Sequence, residues 1–377
     1  MINYIFKNSS AFFRKKKILV LFIIFPLAVT ASNSSNYNID NVKESNVFYG
    51  LASYYNNVSY YVVDKKNITK LKANEERKLK DSEWFAAVGR LNVYIIQGKN
   101  IVIRLDEYNQ ISINDGQPLA LNENIIQISS TKDKLGSISP ELNQIRYQHL
   151  WAPLSELSKV IELSLNFINK YISNSWGFTV ILFAIILKIL VLPVSIMTAR
   201  LTRNVNQKRT QLEPKLTDIK SRYDGEEAHN KIMEAHNELG ISPFYSLKPM
   251  LGSFIQIPIL IAVFNALGEM PQFSGESLFW IEDLAYPDSI MHSILTIPMF
   301  GNTLNLLPFL MTIITIYSTI TFKNNYVSLN EVKKQKRRLY SMAIVFFVLF
   351  YPFPSVMVLY WALANILDFI ERQYVGA

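Results

Sequence analysis

The sequence predicts an all-α polytopic membrane core of five spans, with a cytoplasmic helical hairpin and a small β-rich extracytoplasmic domain. Three observations predict it. Half of the 377 residues are hydrophobic and long stretches carry no charge, a composition of membrane proteins and not of soluble enzymes. The basic residues that give the formal charge of +8 cluster in a few segments between apolar runs, which points to membrane topology more than to nucleic acid. A lone lysine, Lys188, stands inside the first uncharged run of the carboxyl-terminal part.

The amino terminus has the order basic, apolar, small. Arg14, Lys15, Lys16 and Lys17 precede an apolar run over 18–29, and small residues end at Ala31. Residues 1–31 therefore read as a signal peptide or an amino-terminal anchor, since about a dozen apolar residues is short for a span. Either outcome sends the next segment across the membrane. Residues 32–148 are polar and rich in Asn and Tyr, with alternating stretches at 92–97 and 100–105. Alternation with β-branched and aromatic residues, punctuated by Asn, Asp and Gly, predicts a small β domain on the outer side. Over 149–171 apolar residues recur at helical spacing (Leu154, Leu157, Val160, Ile161, Leu165, Ile168), the pattern of an amphipathic helix lying along the membrane surface.

The core occupies 149–377, and its spans are read at 176–198, 249–267 and 304–322, with two more in the uncharged stretch 339–367. That last stretch would make a straight helix of about 43 Å, too long for about 30 Å of hydrocarbon. Pro352 and Pro354 favour a tight turn between two short helices; a single tilted span is the alternative. Nine Lys or Arg lie in 200–248 and six in 323–338, whereas 268–293 has none and carries Glu269, Glu276, Glu282, Asp283 and Asp288. The positive-inside rule puts the two basic loops and the carboxyl terminus in the cytoplasm. The first of these loops is patterned: Val205, Leu212 and Ile219 recur at sevens, as do Ile232 and Leu239, with a turn at Tyr223, Asp224 and Gly225. An antiparallel helical hairpin over 200–241 follows, kinked at Pro214.

Several chemistries are unsupported. With no cysteine there is no disulfide framework, thiolate metal site or lipid-modified cysteine. His229 and His236, in a repeated Ala-His-Asn, share a helix face about 10 Å apart but lack a third ligand. The sequence has no zinc-protease pattern, glycine-rich phosphate loop or nucleophile elbow. The expectation is a protein that is not an enzyme and needs no cofactor.

Lys188 is the most informative residue. A cation at the centre of a membrane helix costs about 2.5–3.5 kcal/mol on insertion scales, so it marks a functional site by default. From mid-span it would have to snorkel about half the bilayer, which favours a water-containing cavity. The alternative is a structural lysine bonded to a neighbouring helix. The spans also contain Gln256, Asn265, Thr312, Thr315, Tyr317, Ser318, Tyr360, Trp361 and Asn365. Trp361 and Asn365 share a helix face, and amides in hydrocarbon are costly, so some of these residues should line a common wet interior. Interhelical hydrogen bonding explains others.

With these residues assembled, the chain resembles the YidC-type membrane protein insertases, a family with mitochondrial and chloroplast relatives. The resemblance is carried by WGFTVILFAIILKILVLP at 176–193, LEPKLTDIK at 212–220, SPFYSLKPMLGSFIQIPI at 242–259, LFWIEDLAYPD at 278–288 and FPSVMVLYWALANIL at 353–367. It implies the five-span insertase fold, with a positively charged hydrophilic groove open to the cytoplasm and to lipid. The groove would receive the polar tail of a nascent membrane protein while its apolar segment enters along the flank. On this resemblance Lys188 supplies the groove charge, and Gln256, Tyr360, Trp361 and Asn365 its lining. The implied partners are nascent membrane proteins, the lipid bilayer, the Sec translocon and the ribosome, at a bacterial inner membrane with residues 32–148 periplasmic. No specific nucleic-acid site is implied. The chain departs from the family pattern at Lys188, where arginine is typical, at Ala184, where a hydroxyl is common, and at Trp361, where tyrosine is usual. The outer domain is much smaller than the large β-sandwich of typical Gram-negative members. The residues after Arg372 lack the basic extension some relatives use on ribosomes, which leaves the basic loop 333–338 as a ribosome or headgroup contact. The competing classes are a small-solute or anion transporter using Lys188 as its anion site, and a structural paralogue without insertase activity.

Overall fold

The computed structural model describes residues 57–65, 67–98, 100–107, 111–114, 125–242, 244, 250–297, 300–322 and 329–375. The expected signal or anchor over 1–31 lies outside them.

The β expectation for 32–148 holds over the described part. β1 (Ser59–Val63), β2 (Ile68–Lys70), β4 (Trp84–Val88), β5 (Asn92–Gln97) and β8 (Ile126–Thr131) form an antiparallel sheet in the order β2-β1-β4-β5-β8. β3 (Glu75–Lys78), β6 (Val102–Leu105) and β7 (Ile111–Ile113) form a second sheet, β3-β6-β7. The central strands β1, β4 and β5 of the larger sheet are buried on both faces, so the alternation read at 92–97 separates no solvent face there, whereas the edge strands β2 and β8 stay half-buried to exposed. One face, with Tyr60, Phe85, Tyr94 and Ile96, packs on Ile101, Ile103, Leu105 and Ile113. The other, with Tyr61, Trp84, Val93 and Ile95, packs on Leu135, Leu142 and Ile145 from the helical turns after β8. Each fully covered large side chain contributes about 1.5–3 kcal/mol relative to exposure.

The helical part begins with α1 (Ala152–Ile168), which lies along α4 (Met250–Glu269). Leu154, Ile161, Leu165 and Ile168 face the core. Val160, assigned to that face by its spacing, points away with Leu163 and Phe167, so α1 carries a second, exposed apolar stripe. α2 (Trp176–Arg222) is one helix of 47 residues, about 70 Å long, with Pro193 and Pro214 inside it. The first arm of the expected hairpin is thus the continuation of the first apolar run. The chain turns at Tyr223 and Asp224 and returns as α3 (Gly225–Glu238). Gly225 takes a φ of +61° at the turn, where a side chain would be strained. Leu212, Ala235 and Ile241 make the hairpin's small core, and His236 Nδ1 lies 3.0 Å from the Ile241 carbonyl oxygen.

α5 (Leu306–Ile320), α6 (Leu329–Phe350) and α7 (Ser355–Val375) complete the bundle. The 339–367 stretch breaks where its prolines predict, between α6 and α7. The run expected to enter a span at 304 is different: β9 (Ser289–Ile297) and β10 (Gly301–Asn305) form an antiparallel hairpin that ends at Asn305, immediately before α5. Asn305 holds this junction, its Nδ2 donating to the Tyr351 carbonyl at 2.7 Å, while the Tyr351 hydroxyl donates to the Thr303 carbonyl at 2.8 Å. Among the described residues one helical stretch, Trp176–Lys208, is long and apolar enough to cross a membrane; Phe254–Glu269 and Leu306–Ile320 are shorter apolar helices.

The segment 271–288 caps the bundle. Ser355 at the start of α7 donates from its backbone to the Tyr286 carbonyl and from its hydroxyl to Tyr286 and Asp283, and Trp176 packs edge-on against Phe273. α2 and α7 therefore start at the same cap and run parallel. The β domain grips the end of α4 beside this cap. Arg90 donates to the Gly268 carbonyl at 2.9 Å, a cation at a helix carboxyl end. Lys132 pairs with Glu269 at 2.8 Å, and His149 Nε2 lies 3.2 Å from the same carboxylate.

Candidate functional site

Five helices wall a cavity of about 210 Å³ below the cap. One water needs about 10–15 Å³ on this measure, so the space admits on the order of ten. α2 contributes Ala184, Leu187, Lys188 and Val191, which share a face by helical spacing. α4 contributes Gln256 and Leu260, α5 Thr315 and Ser318, α6 Met342 and Phe346. α7 contributes Tyr360, Trp361, Asn365, Asp368 and Arg372. The five residues singled out in the sequence, Lys188, Gln256, Tyr360, Trp361 and Asn365, all line this one cavity.

Its end nearest the cap is aromatic. Trp361 lies against Phe264, Phe346 and Phe350 with ring centroids 5.2–5.7 Å apart, and Tyr360 sits edge-on to Phe264 at 6.2 Å. Both rings are buried, which gives the polar part of the cavity a rigid, water-excluding wall. Polar groups follow along α7. Asn365 Nδ2 donates to Thr315 Oγ1 at 3.3 Å, and that hydroxyl donates onward to the Met311 carbonyl at 2.9 Å. Gln256 Oε1 is buried with no hydrogen-bond partner among the described residues, a position that a water in the cavity would satisfy.

Lys188 has counter-ions that its sequence neighbourhood does not reveal: its ammonium is ion-paired with both Asp368 and Glu371 of α7. Geometry supplies the reason. Lys188 lies about 18 Å along α2 from Trp176, and Asp368 about 20 Å along α7 from Ser355. Two parallel helices pinned at one cap thus bring lysine and acids to the same depth. The pair is not sealed: the side chain of Lys188 is 15% exposed and that of Glu371 13%, whereas Asp368 is 44% exposed. Both of the acids missed by the sequence reading were visible as charges one turn apart at the end of an apolar run; matching depths from the two helix starts is the signal that finds them.

The remaining polar residues of the spans lie elsewhere. Asn265 faces His149, its Oδ1 3.1 Å from Nε2, near the grip of the β domain. Tyr317 is exposed beside Phe369, and Thr312 donates to the Pro308 carbonyl within its own helix. Among the described residues no group of His, Asp or Glu has the arrangement to hold a metal ion.

Fold and site together define a helical membrane-protein core around a polar, ion-paired cavity, with a β domain clamped to one end. Residues 167–377 match a family described as 60Kd inner membrane protein, and the chain belongs to this family, that of the YidC-type membrane protein insertases. Membership puts it among inner-membrane proteins. The Membrane protein insertase YidC of Herminiimonas arsenicoxydans is 32% identical over 207 residues, 54% of this chain and 34% of that protein. The protein of the same name from Leptospira interrogans serovar Lai is 28% identical over 290 residues, 75% of this chain and 43% of that one. The match thus spans less than half the length of these relatives. A solved structure titled "Active YidC insertase crystal structure with the first transmembrane domain resolved" aligns over 87% of this chain and 85% of its own, at 16% identity and a TM-score of 0.39.

Proposed function

We propose that this chain is an insertase and chaperone for nascent membrane proteins, acting alone or beside the Sec translocon. The observation that carries the proposal is the cavity: polar and charged side chains share the lining of a space of about 210 Å³ with apolar ones such as Leu187, Val191, Leu260 and Phe346. A hydrated recess part of the way into a bilayer shortens the dry distance a polar segment must cross, and each unsatisfied polar group spared hydrocarbon saves several kcal/mol. In this reading the polar segment of a client occupies the cavity beside Lys188, Gln256, Trp361 and Asn365, and its apolar segment moves along the lipid-facing sides of α4 and α5. Apolar stretches as short as Phe254–Glu269 and Leu306–Ile320 support a locally thinned bilayer.

The core over 149–377 crosses the membrane five times, through the first part of α2, α4, α5, α6 and α7. The basic loops 200–248 and 323–338 and the carboxyl terminus lie in the cytoplasm and the cap over 271–288 outside. Residues 1–31 are the signal or anchor, and 32–148 form the periplasmic domain. The hairpin of α2 and α3 meets clients on the cytoplasmic side, and the basic start of α6 is the ribosome or headgroup contact. No step calls for a nucleotide or a metal.

The test is rescue. In cells depleted of their own insertase, this chain restores insertion of small one- and two-span proteins; Lys188→Ala weakens rescue strongly and Lys188→Arg little. No rescue by the wild-type chain, at normal membrane levels, overturns the proposal. Uptake of a small solute by the purified protein in liposomes would make it a transporter instead.

A further inference from the structure

We propose that the hairpin of β9 and β10 is embedded in the headgroup layer of the outer leaflet, its exposed apolar residues resting on lipid at the level where α5 begins. This rests on the membrane placement of α5 given above, which assigns the hairpin itself no role. Residues 289–305 carry no Asp, Glu, Lys or Arg, whereas the cap just before them holds Glu276, Glu282, Asp283 and Asp288. A two-stranded hairpin is marginal in water on its own. Part of this one is held by protein: Phe300 packs edge-on against Tyr351 with ring centroids 4.8 Å apart, and Thr303 and Asn305 bond to the same tyrosine. Elsewhere it is bare. Met291 and Leu304 lie opposite each other in the strand register and are 60% and 41% exposed, and Ile290 next to Met291 is exposed as well.

Continuity identifies what covers these residues. Phe309, Ile313, Ile316 and Ile320 are the exposed apolar side chains of α5, and their spacing puts them on one helix face. That face meets lipid if α5 spans the membrane, and β10 leads directly into its outer end. Aromatic rings extend the same level to α2. Trp280, whose Nε1 donates to Asp288 at 3.1 Å, stacks at 6.2 Å on the exposed Phe279, which meets the exposed Phe178 near the start of α2. Asp288 also accepts from the Leu307 backbone, which ties these rings to the start of α5. Aromatic side chains gather at the membrane and water boundary. The backbone sets the depth: among the described residues β9 and β10 form a sheet of their own, so each has one edge without a strand partner. Such edges are costly in hydrocarbon and tolerable where water reaches. The boundary is therefore favoured over the bilayer interior, with the apolar residues about 5–10 Å into the headgroup and acyl junction. A hairpin held there fixes where the outer face of the bilayer meets α5, whose 15 residues are only about 22 Å long.

The experiment uses the full chain in phosphatidylcholine vesicles. Met291→Cys and Leu304→Cys are each labelled with an environment-sensitive fluorescent maleimide, with Ile313→Cys on the α5 stripe as the lipid reference and Ser221→Cys as the water reference. Lipids with a nitroxide near the headgroup end of the acyl chain are expected to remove most of the emission from both hairpin probes. A nitroxide deep in the chain should remove less, and iodide present on both sides of the membrane little. Loss to iodide and not to lipid nitroxides, with Ile313→Cys quenched by lipid, overturns the inference and leaves the placement of α5 standing. Quenching by neither means that protein covers the face, a second copy or another partner, and overturns it too. Iodide quenching of Ile313→Cys takes α5 out of the membrane and removes the inference together with that placement. Both hairpin positions are exposed, so either folded variant decides the outcome. Failure of cellular rescue, with both probes quenched by lipid, would end the insertase reading and keep the hairpin in the bilayer.

Discussion

Replacing Lys188 by methionine keeps an unbranched side chain, one atom shorter, and removes the ammonium with its charge and its hydrogen-bond donors. Asp368 and Glu371, adjacent on one face of α7, then face each other without the ammonium that lies between them. Breaking a buried ion pair by removing one partner is destabilising by about 3–5 kcal/mol. The figure needs a discount here: Asp368 is 44% exposed and is rehydrated by the cavity, whereas Glu371, 13% exposed, is not. About 2 kcal/mol remains, carried by Glu371. The double variant Lys188→Met with Glu371→Gln should recover most of that loss, because only a hydrated Asp368 is left charged. Lys188→Arg should stay within about 1 kcal/mol of wild type, since a guanidinium can serve both carboxylates. Unfolding of the purified protein in detergent, followed by intrinsic tryptophan fluorescence against denaturant, gives the three values. If Lys188→Met proves as stable as wild type, or the added Glu371→Gln destabilises it further, the lysine is not held by these acids and the site as described is wrong.

Three other outcomes follow from the cap and the grip of the β domain. Gly177 sits where a Cβ would come within 2.7 Å of Leu278, so Gly177→Ala should push the cap off α2 and destabilise the fold by about 1–3 kcal/mol in the same unfolding assay. Asp288 is buried, and burial raises its carboxyl above the usual aspartate range despite hydrogen bonds from Leu307 and Trp280. An acid whose folded value is raised stabilises fully below its unfolded value and loses that contribution as pH rises through the folded one. Stability should therefore decline as pH climbs from the ordinary aspartate range, and Asp288→Asn should flatten the decline; an unchanged slope would contradict this. Lys132 and Glu269 are 9% and 11% exposed, so Glu269→Gln should weaken the grip by about 3 kcal/mol and speed hydrogen exchange in β5 and β8.

What the sequence shows and what it hides divide along a physical line. Breaks are local: Pro352 with Pro354, and Tyr223 to Gly225, stop a helix by their own chemistry, and both appear where expected. Lys188 is legible because a cation is rare among apolar neighbours. Its counter-ions are hidden because Asp368 and Glu371 follow the last uncharged residue of a run, where charges ordinarily belong to water. Only the shared cap of α2 and α7 brings them to the lysine. Asn265 reads as part of the wet interior, but its partner is His149, 116 residues away in sequence. The hairpin of β9 and β10 is hidden for the opposite reason: 289–305 carries no Asp, Glu, Lys or Arg, so its composition resembles the approach to a span.

The central claim is that the cavity among the helices holds water within the bilayer. The chain has no cysteine, so single-cysteine variants need no prior changes. Ser318→Cys lies on the cavity wall, Ile313→Cys on the exposed apolar side of the same helix, and Ser221→Cys on the hairpin. In inverted membrane vesicles treated with a membrane-impermeant maleimide, the account predicts labelling of Ser318→Cys approaching that of Ser221→Cys, with Ile313→Cys unlabelled. Labelling of Ser221→Cys alone would mean that the cavity is dry.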